Sequence, residues 1–121
     1  MHINLEATEK HAIQAYAPHQ IQINSIIYET SFIVAKEEII TDVSIKDIQD
    51  INTDYLNLLM QLKPEIILIG HEHSGVFPPL AIISALSQQG IGIECMSIGA
   101  ACRTYNILLA EQRMVVAGFI L

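Results

Sequence analysis

Between Ile66 and Leu121 the chain alternates short apolar runs with helix-patterned segments, and that alternation leaves few folds open. Ile66 to Ile69 is apolar at consecutive positions and ends on Gly70, the mark of a strand covered on both faces. The loop His71-Glu72-His73-Ser74-Gly75-Val76-Phe77-Pro78 follows, and Pro79 stands in the first turn of a helix carrying Leu80, Ile83, Leu86 and Ser87. Gly90 is placed to end that helix. Ile91-Gly92-Ile93 reads as a second strand, Ala100 to Ala110 as a helix begun at Ser97 or Gly99, and Met114 to Leu121 as a last strand. Strand, helix, strand, helix, strand with short connections predicts an α/β core over residues 66–121.

The first half has a different period. Ile21, Ile23, Ile27, Phe32, Val34 and Ile39-Ile40 stand among polar residues, with turns expected at Thr30-Ser31 and Lys36-Glu37. That pattern predicts three or four short antiparallel strands over about 20–41. Upstream, Pro18 pushes Ala17 toward extended geometry. From Ile45 to Leu62 the apolar residues Ile45, Ile48, Ile51, Tyr55, Leu58, Leu59 and Leu62 fall at helical spacing, stopped by Lys63-Pro64. Asn52 or Thr53 can divide this stretch into a short helix over 45–50 and a longer one over 53–62. The expected fold class is α/β, with three layers. A central mixed sheet carries helices, and an additional antiparallel β layer comes from the N-terminal half. Residues 1–121 are expected to form one compact domain.

Composition then narrows the function classes. With 51% apolar residues, 22 isoleucines among 121 residues, and a formal charge of −7, the chain can bury a core and is not wholesale disordered. The scaling of folded surface with mass expects roughly 6,500 Å² of accessible area. Only six lysines and arginines oppose thirteen acids, so no basic stripe exists to neutralise a nucleic-acid backbone. No stretch of transmembrane length and no secretory or transit leader is read, and two cysteines make no disulfide scaffold. A cytoplasmic protein without membrane insertion is the expectation.

Chemistry-bearing residues gather in two places. His71 and His73 flank Glu72 just past a buried strand, but i and i+2 in a loop is not the i, i+4 helical spacing of zinc proteases. Neither a GxGxxG nor a GxxxxGK phosphate loop is present. Open α/β sheets bind ligands beyond the carboxyl ends of their strands. A candidate cleft is therefore drawn from Gly70, His71, His73, Ser97, Cys102, Arg103, Thr104, Tyr105 and Asn106. The competing reading makes Arg103 part of a structural latch with Glu94, Glu111 and Arg113, because an arginine in so acidic a chain wants a carboxylate. Cys102 would lie near a helix start beside Arg103, which favours thiolate, although no histidine is adjacent in sequence. No catalytic residue, cofactor or metal is assigned.

The stretch from Gly90 through Ala117 resembles the hallmark of the Mth938-like family of uncharacterised single-domain proteins. The match is carried by Gly90, Glu94, Met96, Ala101, Arg103, Thr104, Tyr105, Asn106, Leu109, Glu111, Arg113, Val115 and Ala117. Pro64, the strand Ile66 to Gly70, and Phe77-Pro78 also fit. The resemblance implies a three-layer arrangement around a mixed sheet and, through a mitochondrial member that assists respiratory complex I assembly, a protein-binding role. It supplies no catalytic residue. Two departures from the family pattern stand out: His71-Glu72 replaces a threonine and a glycine, and Ile98 stands where a threonine or other small residue is common. The leading expectation is thus a non-catalytic protein-binding or assembly-factor-like domain that self-associates as a dimer or meets a protein partner. The alternative is a small-molecule binding protein or enzyme using a cleft between 70–77 and 97–106.

Overall fold

The computed structural model describes residues 3–4 (backbone only), 9–73 and 75–121. Its elements are β1 (Ile3–Asn4), β2 (Ala15–Ala17), β3 (Gln20–Ile23), β4 (Ile26–Tyr28), β5 (Phe32–Val34), β6 (Ile39–Ile40), α1 (Thr53–Gln61), β7 (Ile66–Gly70), α2 (Leu80–Gln88), β8 (Gly92–Met96), α3 (Ile98–Ala110) and β9 (Val115–Phe119). A single 3₁₀ turn, Ile48–Asp50, precedes α1. The strands form two sheets. An antiparallel sheet has the order β1-β2-β3-β4, and a mixed sheet has the order β6-β5-β9-β7-β8. In the mixed sheet β7 runs parallel to both β8 and β9, while β5 is antiparallel to β9 and β6.

Period-2 alternation gives the mixed sheet two buried faces. Leu68, Val115, Ala117, Phe119, Phe32 and Val34 face α3 and the antiparallel sheet, where Ala101, Cys102, Tyr105, Ile13, Ile21 and Ile23 meet them. Ile67, Ile69, Val116, Ile120 and Ile33 face the other way, onto Tyr55, Leu56 and Leu59 of α1 and Ile82 and Leu86 of α2. The fold is α/β, with a central mixed sheet, helices, and an additional N-terminal antiparallel sheet. Its accessible surface of 6525 Å² agrees with the mass scaling.

The helices begin and end for local reasons. Asn52 Oδ1 accepts from the Tyr55 N–H at 2.9 Å, so the apolar stripe 45–62 divides there and α1 starts at Thr53. Ser97 Oγ accepts from the Ala100 N–H at 3.3 Å and starts α3. At the end of α2, the Ile91 N–H reaches Leu86 O at 3.1 Å and the Gly90 N–H reaches Ser87 O at 3.0 Å, a Schellman closure.

One expectation needs refinement. The strands read over 20–41 do not make one layer: β3 and β4 stay in the antiparallel sheet, while β5 and β6 join the mixed sheet. The break falls at Glu29 to Ser31. After it, Phe32, Ile33 and Val34 are all buried, which only a doubly covered strand can be. β2 and the described part of β1 come from residues 1–19, where little strand signal was read.

Candidate functional site

Strands β7, β8 and β9 reach the same edge at Gly70, Met96 and Phe119. Gly70 permits this convergence. A Cβ there would lie 2.8 Å from Phe119 Cδ1 and 2.9 Å from Ala101 Cβ, so any side chain would drive α3 off the sheet. The lacing runs one step further: the His71 N–H donates to Met96 O at 3.0 Å, and the Ile120 N–H donates to Gly70 O at 2.9 Å.

The next three side chains each make a contact within the protein. His71 is 8% exposed, and its Nδ1 accepts from the His73 N–H at 3.2 Å, so the neutral ring carries its proton on Nε2. Burial and then the neighbouring His73 hold its pKa below the ordinary histidine value, against opposing pulls from Glu72 and Asp47. Glu72 Oε1 accepts from the Ile98 N–H at 3.0 Å, placing a carboxylate at the positive start of α3. His73 Nδ1 lies 3.2 Å from Asp47 Oδ2. Together they form a ridge between two hollows. One, about 240 Å³, opens on the β8 side between Gly75 to Phe77 and Cys95 to Ser97. The other, about 210 Å³, opens on the β9 side.

Because folding lowers the His71 pKa, the unfolded chain takes up this proton first as pH falls. The stability His71 contributes is present above the unfolded pKa of about 6.5 and is lost as pH falls toward the lowered folded value. Thermal midpoints of the wild type and His71→Gln should therefore converge between about pH 7.5 and pH 5. Parallel curves would refute this.

Of the expected cleft residues, Gly70, His71, His73 and Ser97 gather at this edge. The rest do not. Cys102 and Tyr105 are fully buried in the core, and Thr104 is half-buried on the same helix. Tyr105 Oη donates to His11 O at 3.1 Å. Asn106 grips one residue twice, accepting from the Ile13 N–H at 2.8 Å and donating to Ile13 O at 2.9 Å. Arg103 Nη1 donates to Tyr16 Oη. Arg103, Tyr105 and Asn106 thus clamp the segment 11–16 against α3. His2 and Ser74 lie outside the described residues.

The latch is corrected in its partners. Among the described residues Arg103 meets neither Glu94 nor Glu111, both exposed. Arg113 pairs instead with Glu65, Nε to Oε1 at 2.9 Å, and the same oxygen accepts from the Met114 N–H at 2.9 Å. The Met114 bond and then Arg113 hold the Glu65 carboxyl below its ordinary pKa. This pair had a signal in the sequence: parallel strands that both start here, with Ile66 opposite Val115, set Glu65 beside Met114. Tyr16, His11 and Ile13 had none.

The thiols are not activated. Burial pushes Cys102 up to about 12, more than Arg103 draws it down, and burial with Glu94 pushes Cys95 up to about 11. Among the described residues, no group of three histidine, cysteine or acidic side chains is placed to hold a metal ion, and no helix is long and apolar enough to cross a membrane.

Residues 13–120 match the family described as protein of unknown function, DUF498/DUF598. The chain belongs to this family. Among its relatives is the 13 kDa major membrane protein of Francisella tularensis subsp. holarctica, 42% identical over 71 residues, which are 59% of this chain and 58% of that protein. Another is the NADH dehydrogenase [ubiquinone] 1 alpha subcomplex assembly factor 3 of Drosophila melanogaster, 35% identical over 81 residues, 64% of this chain and 41% of that protein. The chain therefore spans less than two thirds of the length of these relatives. A solved Bordetella parapertussis protein is 30% identical with a TM-score of 0.81, covering 94% of this chain and 98% of that one. A Bordetella pertussis protein described as a Mth938-like domain shares the fold, with a TM-score of 0.77 at 24% identity and coverage of 97% and 89%. For this Mth938-like family, then, Arg103, Tyr105 and Asn106 of the hallmark run work in this chain as a clamp between layers.

Proposed function

We propose that the chain is a non-catalytic, cytoplasmic protein-binding domain with an assembly-factor-like role, and that its partner surface is the start of α2. The observation that carries this reading is the exposure of Phe77 and Leu80, 67% and 75%, on either side of Pro78-Pro79. Two large apolar side chains held out by a rigid Pro-Pro segment suit a protein interface better than solvent. The neutral thiols, the bond from the Ile98 N–H to Glu72 and the pairing of His73 with Asp47 argue in the same direction. Kinship with an assembly factor adds support.

A photo-crosslinking residue at position 80, compared with one at exposed position 88 on the same helix, tests it in cells. A discrete adduct at 80 and none at 88 is expected, and an adduct of twice the chain mass would identify the partner as a second copy. Equal or absent crosslinking at both positions would refute it. The second reading, a small-molecule cleft, rests on the hollow of about 240 Å³ on the β8 side. It stands second because ligand pockets usually run from about 300 to 1,000 Å³.

A further inference from the structure

We propose that the hollow on the β9 side of the His71-Glu72-His73 ridge binds a small oxyanion of phosphate or sulfate size, and binds it more tightly as the pH falls. This is not the expected cleft, which lies across the ridge beside β8.

Three distant stretches bring positive or protonatable groups to this one hollow: His19 from the β2–β3 turn, Lys46 from the segment before the 3₁₀ turn, and His71 and His73 from the loop after β7. The chain holds only five histidines and four lysines against thirteen acids, so three histidines and a lysine around about 210 Å³ is a concentration against its composition. Ile48 and Ile120 supply apolar wall, which strengthens a charged contact by excluding water.

The free donors point the same way. Among the described residues, Lys46 and His19 have no hydrogen-bond or ion-pair partner. The Nε2–H of His71 donates to no protein group and is open to solvent, and the residue lines both hollows. The acids nearby are engaged: Glu72 Oε1 with the Ile98 N–H, and Asp47 Oδ2 with His73. A larger hollow of about 390 Å³ at the opposite end of the parallel strands makes a contrast. Two of its three cations are already taken, Lys36 by Gln112 at 2.8 Å and Arg113 by Glu65 at 2.9 Å, and the third, Lys63, shares the lining with Glu37 and Glu38. A space of the smaller size holds one tetrahedral anion with a few waters.

The pH dependence follows from the charged and titratable groups at the hollow: His19, Lys46, His71, Glu72 and His73 line it together with Leu121, the last residue of the sequence, and Asp47 reaches it only through its pair with His73. Acidification through the histidine range adds positive charge on imidazoles beside a lysine that is already charged. Burial lowers the His71 pKa, and its neutral ring offers the Nε2–H.

Inorganic sulfate is the probe, because its charge is constant between about pH 6 and pH 8. The full chain, isotopically labelled, is titrated at constant ionic strength while imidazole and backbone resonances are followed. Saturable shifts confined to His19, Lys46, His71 and His73 are expected, with affinity about tenfold higher at the lower pH. Lys46→Ala and His19→Ala, both at exposed positions, should each weaken binding about fivefold and leave the sulfate-free thermal midpoint in place. Shifts that never saturate, that spread to Lys36 or Lys63, or that persist unchanged in both variants would overturn the site.

Discussion

Asn106→Ala should destabilise the chain by about 2–4 kcal/mol in chemical denaturation, more than any other change in the clamp. Asn106 holds both the N–H and the C=O of Ile13, a residue with no solvent exposure. Removing the amide leaves two buried backbone groups unpaired, and each costs about 1–3 kcal/mol. Asn106→Asp should not rescue, since its second oxygen would face Ile13 O where a donor is needed. Tyr105→Phe removes only the bond to His11 O and should cost about 1 kcal/mol. A loss below about 1 kcal/mol for Asn106→Ala would show that the segment 11–16 is held by apolar packing and that the hallmark run has another use.

That result bears on how far the sequence could be read. The α/β alternation from Ile66 onward was legible because buried parallel strands and amphipathic helices write different periods into the chain. The division of the 45–62 stripe at Asn52 was legible because a cap is a local interaction. The allocation of strands to sheets was not. β4 and β5 are separated by three residues and have similar composition, and only long-range pairing of Phe32 with Phe119 assigns β5 to the mixed sheet. The site shows the same split. His71, Glu72 and His73 were visible as a loop beyond a strand, whereas the partners of Arg103, Tyr105 and Asn106 lie about ninety residues away, in a segment without periodic pattern. Two polar side chains three apart on a mostly apolar helix announce that something must satisfy them, but not what. The choice of carboxylates for Arg103 followed charge, whereas the structure uses a phenol.

Gly118→Ala should cost about 1–3 kcal/mol, and Tyr55→Phe should recover most of that loss. A Cβ on Gly118 would overlap Tyr55 Oη and come within 3.2 Å of Tyr55 Cζ and 3.3 Å of Ile69 Cδ1. Tyr55 is 3% exposed and packed between α1 and the mixed sheet, so the ring cannot step aside without opening that layer. Its hydroxyl is buried with no hydrogen-bond partner among the described residues, and burial raises its pKa, keeping it protonated. Tyr55→Phe alone therefore removes an unsatisfied polar group and should be neutral or stabilising by up to about 1 kcal/mol. In the double variant the overlapping atom is gone and the remaining contacts ask only a few tenths of an ångström. The two substitutions should then couple favourably by about 1–2 kcal/mol in a double-mutant cycle. Strict additivity would mean that the alanine is absorbed by a shift of β9 against β5 and β7, and that the glycine serves the strand backbone rather than the tyrosine.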